Sequence, residues 1–328
     1  MPTVHVVGCG GTIASEPAAD GAAPAKAGEE LVAAVPDVAE YATLRVTDAG
    51  SRAGFDMDFG VVASAADAVR TAVADGADGV VVTHGTDTLA DTAYALDLAC
   101  DVPVPVVVTG SQRRFDEPGS DAPANLLTAV RAATEDRFSP GVHVAFDDEL
   151  HAARDVVKTH TNALDTFQSP GTGPVATFTR ATTRVHRDPE RARSDVSLPA
   201  DALSPDRDAS AYATVPVVHS GTGVTGSALD RVVDEADGVV VEGTGLGNAT
   251  GPLGDAVAEA VDRLSVVVSS RCHAGPTEAV YGTAGGGVTL RDHGVAYAGT
   301  LSTAKARVKL VLALTAGLSR DATEATFE

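Results

Sequence analysis

The chain has 328 residues, a length that suggests roughly two domains. It is 44% hydrophobic but only 4% aromatic, with no Trp, so its cores must be built from Val, Ala and Leu. Lys+Arg number 24 against Asp+Glu 45, and a net charge of -21 sets aside nucleic acid and anionic membrane as partners.

Met1-Pro2-Thr3 leads straight into an apolar strand, Val4-His5-Val6-Val7, without the basic region or cleavage site of a signal peptide. The strand ends in Gly8-Cys9-Gly10-Gly11-Thr12-Ile13-Ala14-Ser15. Ile13 stands where a dinucleotide fingerprint needs its third glycine, and no Gly-Lys-Ser/Thr follows for a phosphate loop. What remains is either a plain tight turn or a hydroxyl, Thr12, on backbone that glycines let approach a ligand closely. Neighbouring N–H groups would then serve as oxyanion donors. Glu16 to Gly28 is rich in small residues and holds two prolines, which reads as a surface loop and, beside Thr12, as a candidate lid. A helix is expected from Glu29 to Val35, stopped by Pro36. Leu44-Arg45-Val46 is a strand leading to Ser51, and Phe59 to Asp75 is an amphipathic helix.

Gly79-Val80-Val81-Val82 suits a strand buried on both faces of a parallel sheet. Thr83-His84-Gly85-Thr86-Asp87-Thr88 follows, then a helix with Leu89, Ala93 and Leu96 on one face. Thr86, Asp87 or Thr88 can cap that helix. Ligands of open α/β sheets sit at the carboxyl ends of the strands, so this junction is a site candidate as well as a capped connection. Pro105 to Val108 is a strand ending in Thr109-Gly110-Ser111-Gln112-Arg113, where Gly-x-Ser-x-Gly is not satisfied. Ala122 to Thr134 is helical and carries Asn125, and Val142 to Phe146 is a strand.

Lys158, in Arg154-Asp155-Val156-Val157-Lys158-Thr159, is one of only four lysines. In a chain that avoids surface lysine, its apolar neighbours point to partial burial and proton chemistry rather than to a solvated charge. Few lysines and much Asp, Ala, Val and Thr also fit a protein kept soluble in high salt, as in a halophilic cytosol. Arg180 to Ser210 brings prolines and paired charges without apolar periodicity, and reads as a linker across the surface. A second α/β set follows, with strands at Val215–Val218, Gly238–Glu242 and Val266–Val268. Its last element is an amphipathic helix, Thr303 to Ala316, with Lys305, Arg307 and Lys309 on the polar side. The expected architecture is a doubly wound, mainly parallel sheet over residues 1–180, a linker over 181–211 and a smaller α/β domain over 212–328.

Cys9, Cys100 and Cys272 are widely spaced and offer no disulfide framework, which suits a reducing compartment. His84, Cys272 and His273 match no common zinc spacing, so no metal is expected. No apolar run approaches the length of a membrane helix.

Gly10-Gly11-Thr12-Ile13-Ala14, Gly50-Ser51, Thr83 to Thr88, Arg154 to Thr159, Gly299-Thr300-Leu301 and Lys305-Ala306-Arg307-Val308 together resemble the bacterial-type L-asparaginase / glutaminase-asparaginase family. The resemblance spans nearly the whole chain in order. It implies Thr12 as the nucleophile, forming an acyl-enzyme, with Thr86, Asp87 and Lys158 as the second catalytic group. It implies Ser51 and Asp87 as binders of the substrate's α-carboxylate and α-amino ends. Backbone around Gly11, Thr12 and Ser111 would hold the amide and the oxyanion. Glu278 is implied as an acidic contact from a neighbouring subunit, in a homodimer or homotetramer with shared sites. An asparagine of the family's second domain is matched here by the small-residue run Ser220-Gly221-Thr222-Gly223.

One family feature is missing. The family's mobile loop carries a tyrosine, whereas residues 15–40 hold none. A positioned acid–base group is worth about 10²–10⁴ in rate. The departure leaves a slower asparaginase, activation of Thr12 by Lys158 or Glu16, or another amide preference. The resulting expectation is a cytoplasmic enzyme converting L-asparagine to L-aspartate and ammonia without metal or cofactor. Two alternatives are the asparaginase-like component of an archaeal tRNA-dependent amidotransferase and a non-catalytic asparagine-binding protein. The first is disfavoured by the charge and by a chain that starts at its first strand, the second by retention of Lys158.

Overall fold

The computed structural model describes residues 1–18, 21–24, 26–194 and 196–327. They divide into two units, Met1–Ala209 and Ser210–Glu328.

In the first unit the strands are β1 (Thr3–Gly10), β2 (Ser15–Ala18), β3 (Gly21–Pro24), β4 (Thr43–Arg52), β5 (Gly79–Thr83), β6 (Pro105–Thr109), β7 (Gly141–Phe146), β8 (Glu149–Ala152), β9 (Val157–Lys158), β10 (Phe167–Gln168), β11 (Ala176–Phe178) and β12 (Thr183–Val185). The helices are α1 (Gly28–Ala33), α2 (Phe59–Ala74), α3 (Leu89–Ala99) and α4 (Ala122–Ala133). The large sheet runs β12-β11-β8-β7-β6-β5-β1-β4, parallel from β4 to β7 and antiparallel beyond. Counted along the chain, its parallel strands lie in the order 2-1-3-4-5, which puts the topological switch point between β1 and β5. All five residues of β5 and of β6 are buried, as their valine runs require for strands covered on both faces. Valine, alanine and leucine fill the core, with Phe138 and Phe178 among its few rings.

The segment expected to be an irregular loop after Thr12 is instead a hairpin. β2 pairs antiparallel with β3, from Ser15↔Pro24 to Ala18↔Gly21. Backbone ladders need no apolar side chains, so a run of small residues can pair without showing periodicity. Ala19, Asp20 and Ala25 of that expected loop lie outside the described residues. The segment expected to be a linker packs on the first unit as far as Ala209. It adds β12 to the sheet edge and buries Ala192, Leu198, Ala202 and Leu203.

The second unit has β13 (Val217–His219), α5 (Ser227–Val232), β14 (Gly238–Gly243), α6 (Gly251–Ala260), β15 (Ser265–Ser270), α7 (Gly287–Asp292), β16 (Ala296–Tyr297), α8 (Thr303–Thr315) and α9 (Arg320–Ala325). Its four-stranded sheet is parallel throughout, in the order β13-β14-β15-β16. The polar face expected for α8 is not solvated: Lys305 is 1% exposed and Lys309 6%. Lysine stems are apolar and pack like other methylenes, provided that the ammonium finds an acceptor. Lys309 Nζ donates to the Thr326 carbonyl and lies 4.7 Å from the Phe327 ring centroid. Arg307 donates from Nε to the Val215 carbonyl at 2.8 Å.

Candidate active site

The switch point is assembled by glycines. β1 pairs with β5 through Val7↔Val82 and Gly8↔Thr83, so the turns after the two strands emerge side by side. Gly11 has φ +81°, and a Cβ on it would lie 2.3 Å from Gly85 Cα. A Cβ on Gly85 would lie 2.5 Å from Gly54 Cα. Three loops, following β1, β4 and β5, therefore meet backbone against backbone where no other residue fits. The Gly11 N–H donates to the Arg52 carbonyl at 2.8 Å, so it is not available to a ligand. Thr12 stands half-buried at the start of a 3₁₀ turn, Thr12–Ala14, which is braced by Ser15 Oγ on the Gly11 carbonyl at 2.8 Å.

The loop after β5 is held from beneath by His84. Its Nδ1 donates to the Gly85 carbonyl at 2.8 Å, which leaves Nε2 to accept from the Thr92 hydroxyl at 3.0 Å. Burial brings this imidazole down to about 4, so it is neutral in the folded protein. Thr88 donates to the Gly54 carbonyl at 2.6 Å. α3 thus starts without a side-chain cap, contrary to the expected capping by Thr86, Asp87 or Thr88. Those side chains are engaged sideways because the neighbouring loops offer them closer partners.

Lys158 reaches this loop from a hairpin, β9 with β10, in which it pairs with Phe167. Phe167 anchors the hairpin by packing on Phe146 of β7, with ring centroids 4.8 Å apart. Lys158 Nζ donates to Thr86 Oγ1 at 2.9 Å and to Asp87 Oδ1 at 2.8 Å. The lysine side chain is 17% exposed and the aspartate 52%, so the ion pair is open to water on the aspartate side. Thr86 Oγ1 in turn donates to Gln112 Oε1 at 3.3 Å. A buried hydroxyl between an ammonium and an amide oxygen is a two-way relay: it accepts from one and donates to the other.

Gln112 is a residue that sequence reasoning passed over. It adjoins Ser111, whose hydroxyl is taken by the Arg113 carbonyl at 2.7 Å. The Gln112 and Arg113 N–H groups both donate to Asp121, each at 2.9 Å. Asn125 holds Asp121 and the Gly110 carbonyl, each at 3.0 Å. The backbone beyond Ser111 is therefore fixed by α4. Ser51 is exposed at the carboxyl end of β4, and Glu278 is an exposed residue of the second unit. Among the described residues no group of three or more His, Cys, Asp or Glu is arranged to hold a metal ion, and no helix is long and apolar enough to cross a membrane.

Comparison with known proteins agrees with this architecture. Residues 3–191 match the model of the asparaginase N-terminal domain, and residues 214–327 match that of the glutaminase/asparaginase C-terminal domain. The chain belongs to the asparaginase family. A probable periplasmic L-asparaginase of Haemophilus influenzae is 33% identical, over 96% of this chain and 89% of its own length. A component of the glutamyl-tRNA(Gln) amidotransferase of Halobacterium salinarum is 36% identical, over 96% of this chain and 75% of its own. A crystal structure of a probable cytoplasmic L-asparaginase from Campylobacter jejuni superposes with a TM-score of 0.84 at 28% identity, covering 100% of this chain and 99% of that one.

Proposed function

We propose that this protein is an L-asparaginase, hydrolysing the side-chain amide of L-asparagine to L-aspartate and ammonia. The observation that carries the reading is the Lys158 ammonium held on both Thr86 and Asp87, next to the glycine-fitted turn that presents Thr12. In this reading Thr12 Oγ attacks the amide carbon, the C–N bond breaks, and the amide nitrogen leaves as ammonia with the proton that Thr12 gave up. The aspartyl ester left on Thr12 is then opened by water, which restores the hydroxyl. Asp87 receives the substrate's α-ammonium and Ser51 its α-carboxylate. A cationic Lys158 has no lone pair for a proton, so in this scheme it acts as the base in its neutral form. Lys158 then takes the Thr12 proton by way of the Thr86 hydroxyl, which Gln112 orients. The Thr12 N–H and the Ser111 backbone serve the developing oxyanion. This scheme assigns the missing loop tyrosine's work to Lys158.

The shared-site assembly remains part of the proposal, as a homodimer or homotetramer in which Glu278 reaches a neighbour's site. Phe55, Val280 and Tyr281 are large apolar side chains left 80%, 55% and 55% exposed, which suits contact surfaces in such an assembly. A cytoplasmic, high-salt setting fits the net charge of -21. The halobacterial amidotransferase relative favours one second reading: a component that releases ammonia only with a partner and tRNA present. The test is ammonia release by the purified chain in molar KCl, from L-asparagine and separately from L-glutamine. Turnover of L-asparagine by the chain alone is expected. Asparagine binding without turnover contradicts the proposal, and turnover restored only by a partner and tRNA moves it to the second reading.

A further inference from the structure

Gln112 is held at both ends of its amide. Oε1 accepts from Thr86 Oγ1 at 3.3 Å, and Nε2 donates to the Ala163 carbonyl at 3.2 Å. A glutamine amide fits such a slot in either of two senses, which exchange its oxygen and its nitrogen. Only the Ala163 contact chooses between them, because a carbonyl accepts and cannot donate, whereas a hydroxyl does both. The reversed amide would set two carbonyl oxygens against each other. In the observed sense the Thr86 proton lies on Gln112. The Thr86 oxygen then keeps its lone pairs for Lys158, whose Nζ is 2.9 Å away, and for a proton arriving from Thr12.

Ala163 lies in the connection between β9, which ends at Lys158, and β10, which starts at Phe167. Thr166, fully buried, closes the base of that connection. Its hydroxyl accepts from the His160 N–H at 3.2 Å and donates to the His160 carbonyl, and its own carbonyl accepts from the Thr159 N–H at 2.8 Å. The rest of the turn is shaped by an imidazole. His160 Nδ1 accepts from the Asn162 N–H at 3.0 Å and from the Ala163 N–H at 2.9 Å. Donors on that nitrogen require Nδ1 to present its lone pair, with the ring proton on Nε2. His160 is exposed, so its ring is not there to fill a core. We infer that His160 is a positioning residue of the relay. It sets the turn, the turn aims the Ala163 carbonyl, and that carbonyl fixes the sense of the Gln112 amide on Thr86. One hairpin thereby carries both the base, Lys158, and the bracket for the hydroxyl beside it. The kinetic consequence rests on the reaction proposed above; the sense of the amide does not.

The test compares the wild-type chain with His160→Ala and His160→Asn, and His160→Ala is also combined with Gln112→Ala, all in molar KCl. An asparagine side-chain oxygen accepts backbone N–H groups two or three residues further on, so His160→Asn replaces the acceptor that His160→Ala removes. The first readout needs no turnover. Gln112 and Gln168 are the glutamines of the chain, so isotope labelling of the glutamine side-chain nitrogen singles out their NH₂ resonances. The Gln112 signals are identified by their loss in Gln112→Ala. They are expected to shift in His160→Ala and to return in His160→Asn. The second readout is steady-state ammonia release from L-asparagine. In His160→Ala kcat is expected to fall about threefold to tenfold, no further than in Gln112→Ala, with KM nearly unchanged. His160→Asn is expected to recover most of it. Adding His160→Ala to Gln112→Ala is expected to cost nothing more, since both act through one amide. Gln112 resonances that stay in place in His160→Ala overturn the inference, as do losses that multiply in the double variant. A wild-type chain that releases no ammonia contradicts the reaction proposed above, and the resonances alone then decide the role of His160.

Discussion

Lys158 in the first unit and the pair Lys305 and Lys309 in the second are three of the four lysines of this chain. All three stand out equally by rarity. Lys158 ends on side chains, a hydroxyl and a half-exposed carboxylate, which are partners that a substrate can compete for. Lys309 ends on a backbone carbonyl and the face of Phe327, in a buried setting that fastens the C-terminal residues to α8. The difference teaches that scarcity marks a lysine as worth keeping, while the atoms that receive its ammonium decide between chemistry and architecture.

The comparison is broken most easily by the two matching substitutions. Lys158→Met is expected to lower asparagine turnover by about 10²–10⁴ while leaving the unfolding midpoint nearly unchanged. Lys309→Met is expected to do the reverse, costing about 1–3 kcal/mol of stability with turnover per folded molecule retained. Steady-state ammonia release and urea unfolding on both variants check the pair, and identical phenotypes would erase the distinction.

Glycines of the two kinds of region sharpen it further. Gly11→Ala meets the Gly85 backbone at 2.3 Å with φ +81°, whereas Gly76, at φ +84°, has nothing within 4 Å. Both substitutions carry the left-handed cost of about 1–2 kcal/mol, but only Gly11→Ala must also push two loops apart. Thermal unfolding is expected to rank Gly11→Ala well below Gly76→Ala, and ammonia release to vanish only in the former.

Acid supplies a third lever. Burial brings both His84 and His143 down to about 4, from an ordinary value of 6.5. Between those values the unfolded chain binds protons that the folded chain refuses, so stability rises with pH there. It is expected to fall, by on the order of 3 kcal/mol per histidine, as pH drops from 6.5 toward 4. A urea midpoint that stays flat over that window would contradict neutral, buried imidazoles. The smallest expected effect is at the relay's far end. Gln112→Ala leaves Thr86 its lysine, so a loss of about tenfold in kcat/KM is anticipated, against the larger loss for Lys158→Met.

How much of this was readable in the residues follows from what each feature is made of. Valine runs bounded by glycine, proline or serine announce β5, β6 and β15, because burial on both faces is written in composition. The turns carrying Thr12 and Thr86 were visible as breaks after such runs. The contact of Lys158 with Thr86 spans 72 residues and became legible only through resemblance. Gly54 acts by lacking a side chain, and Gln112 acts through one amide oxygen, so neither left a local signal. The polar face assigned to α8 failed because a lysine was counted by its charge and not by its stem. The hairpin after Thr12 escaped because small residues pair through the backbone alone.

The most direct measurement is ammonia release from L-asparagine by Thr12→Ala and Thr12→Ser beside the wild type, in molar KCl. The account predicts loss of turnover with alanine, by about 10⁴ or more, and a partial return with serine, which restores a hydroxyl at the same turn. Turnover by Thr12→Ala equal to that of the wild type would show that the nucleophile lies elsewhere.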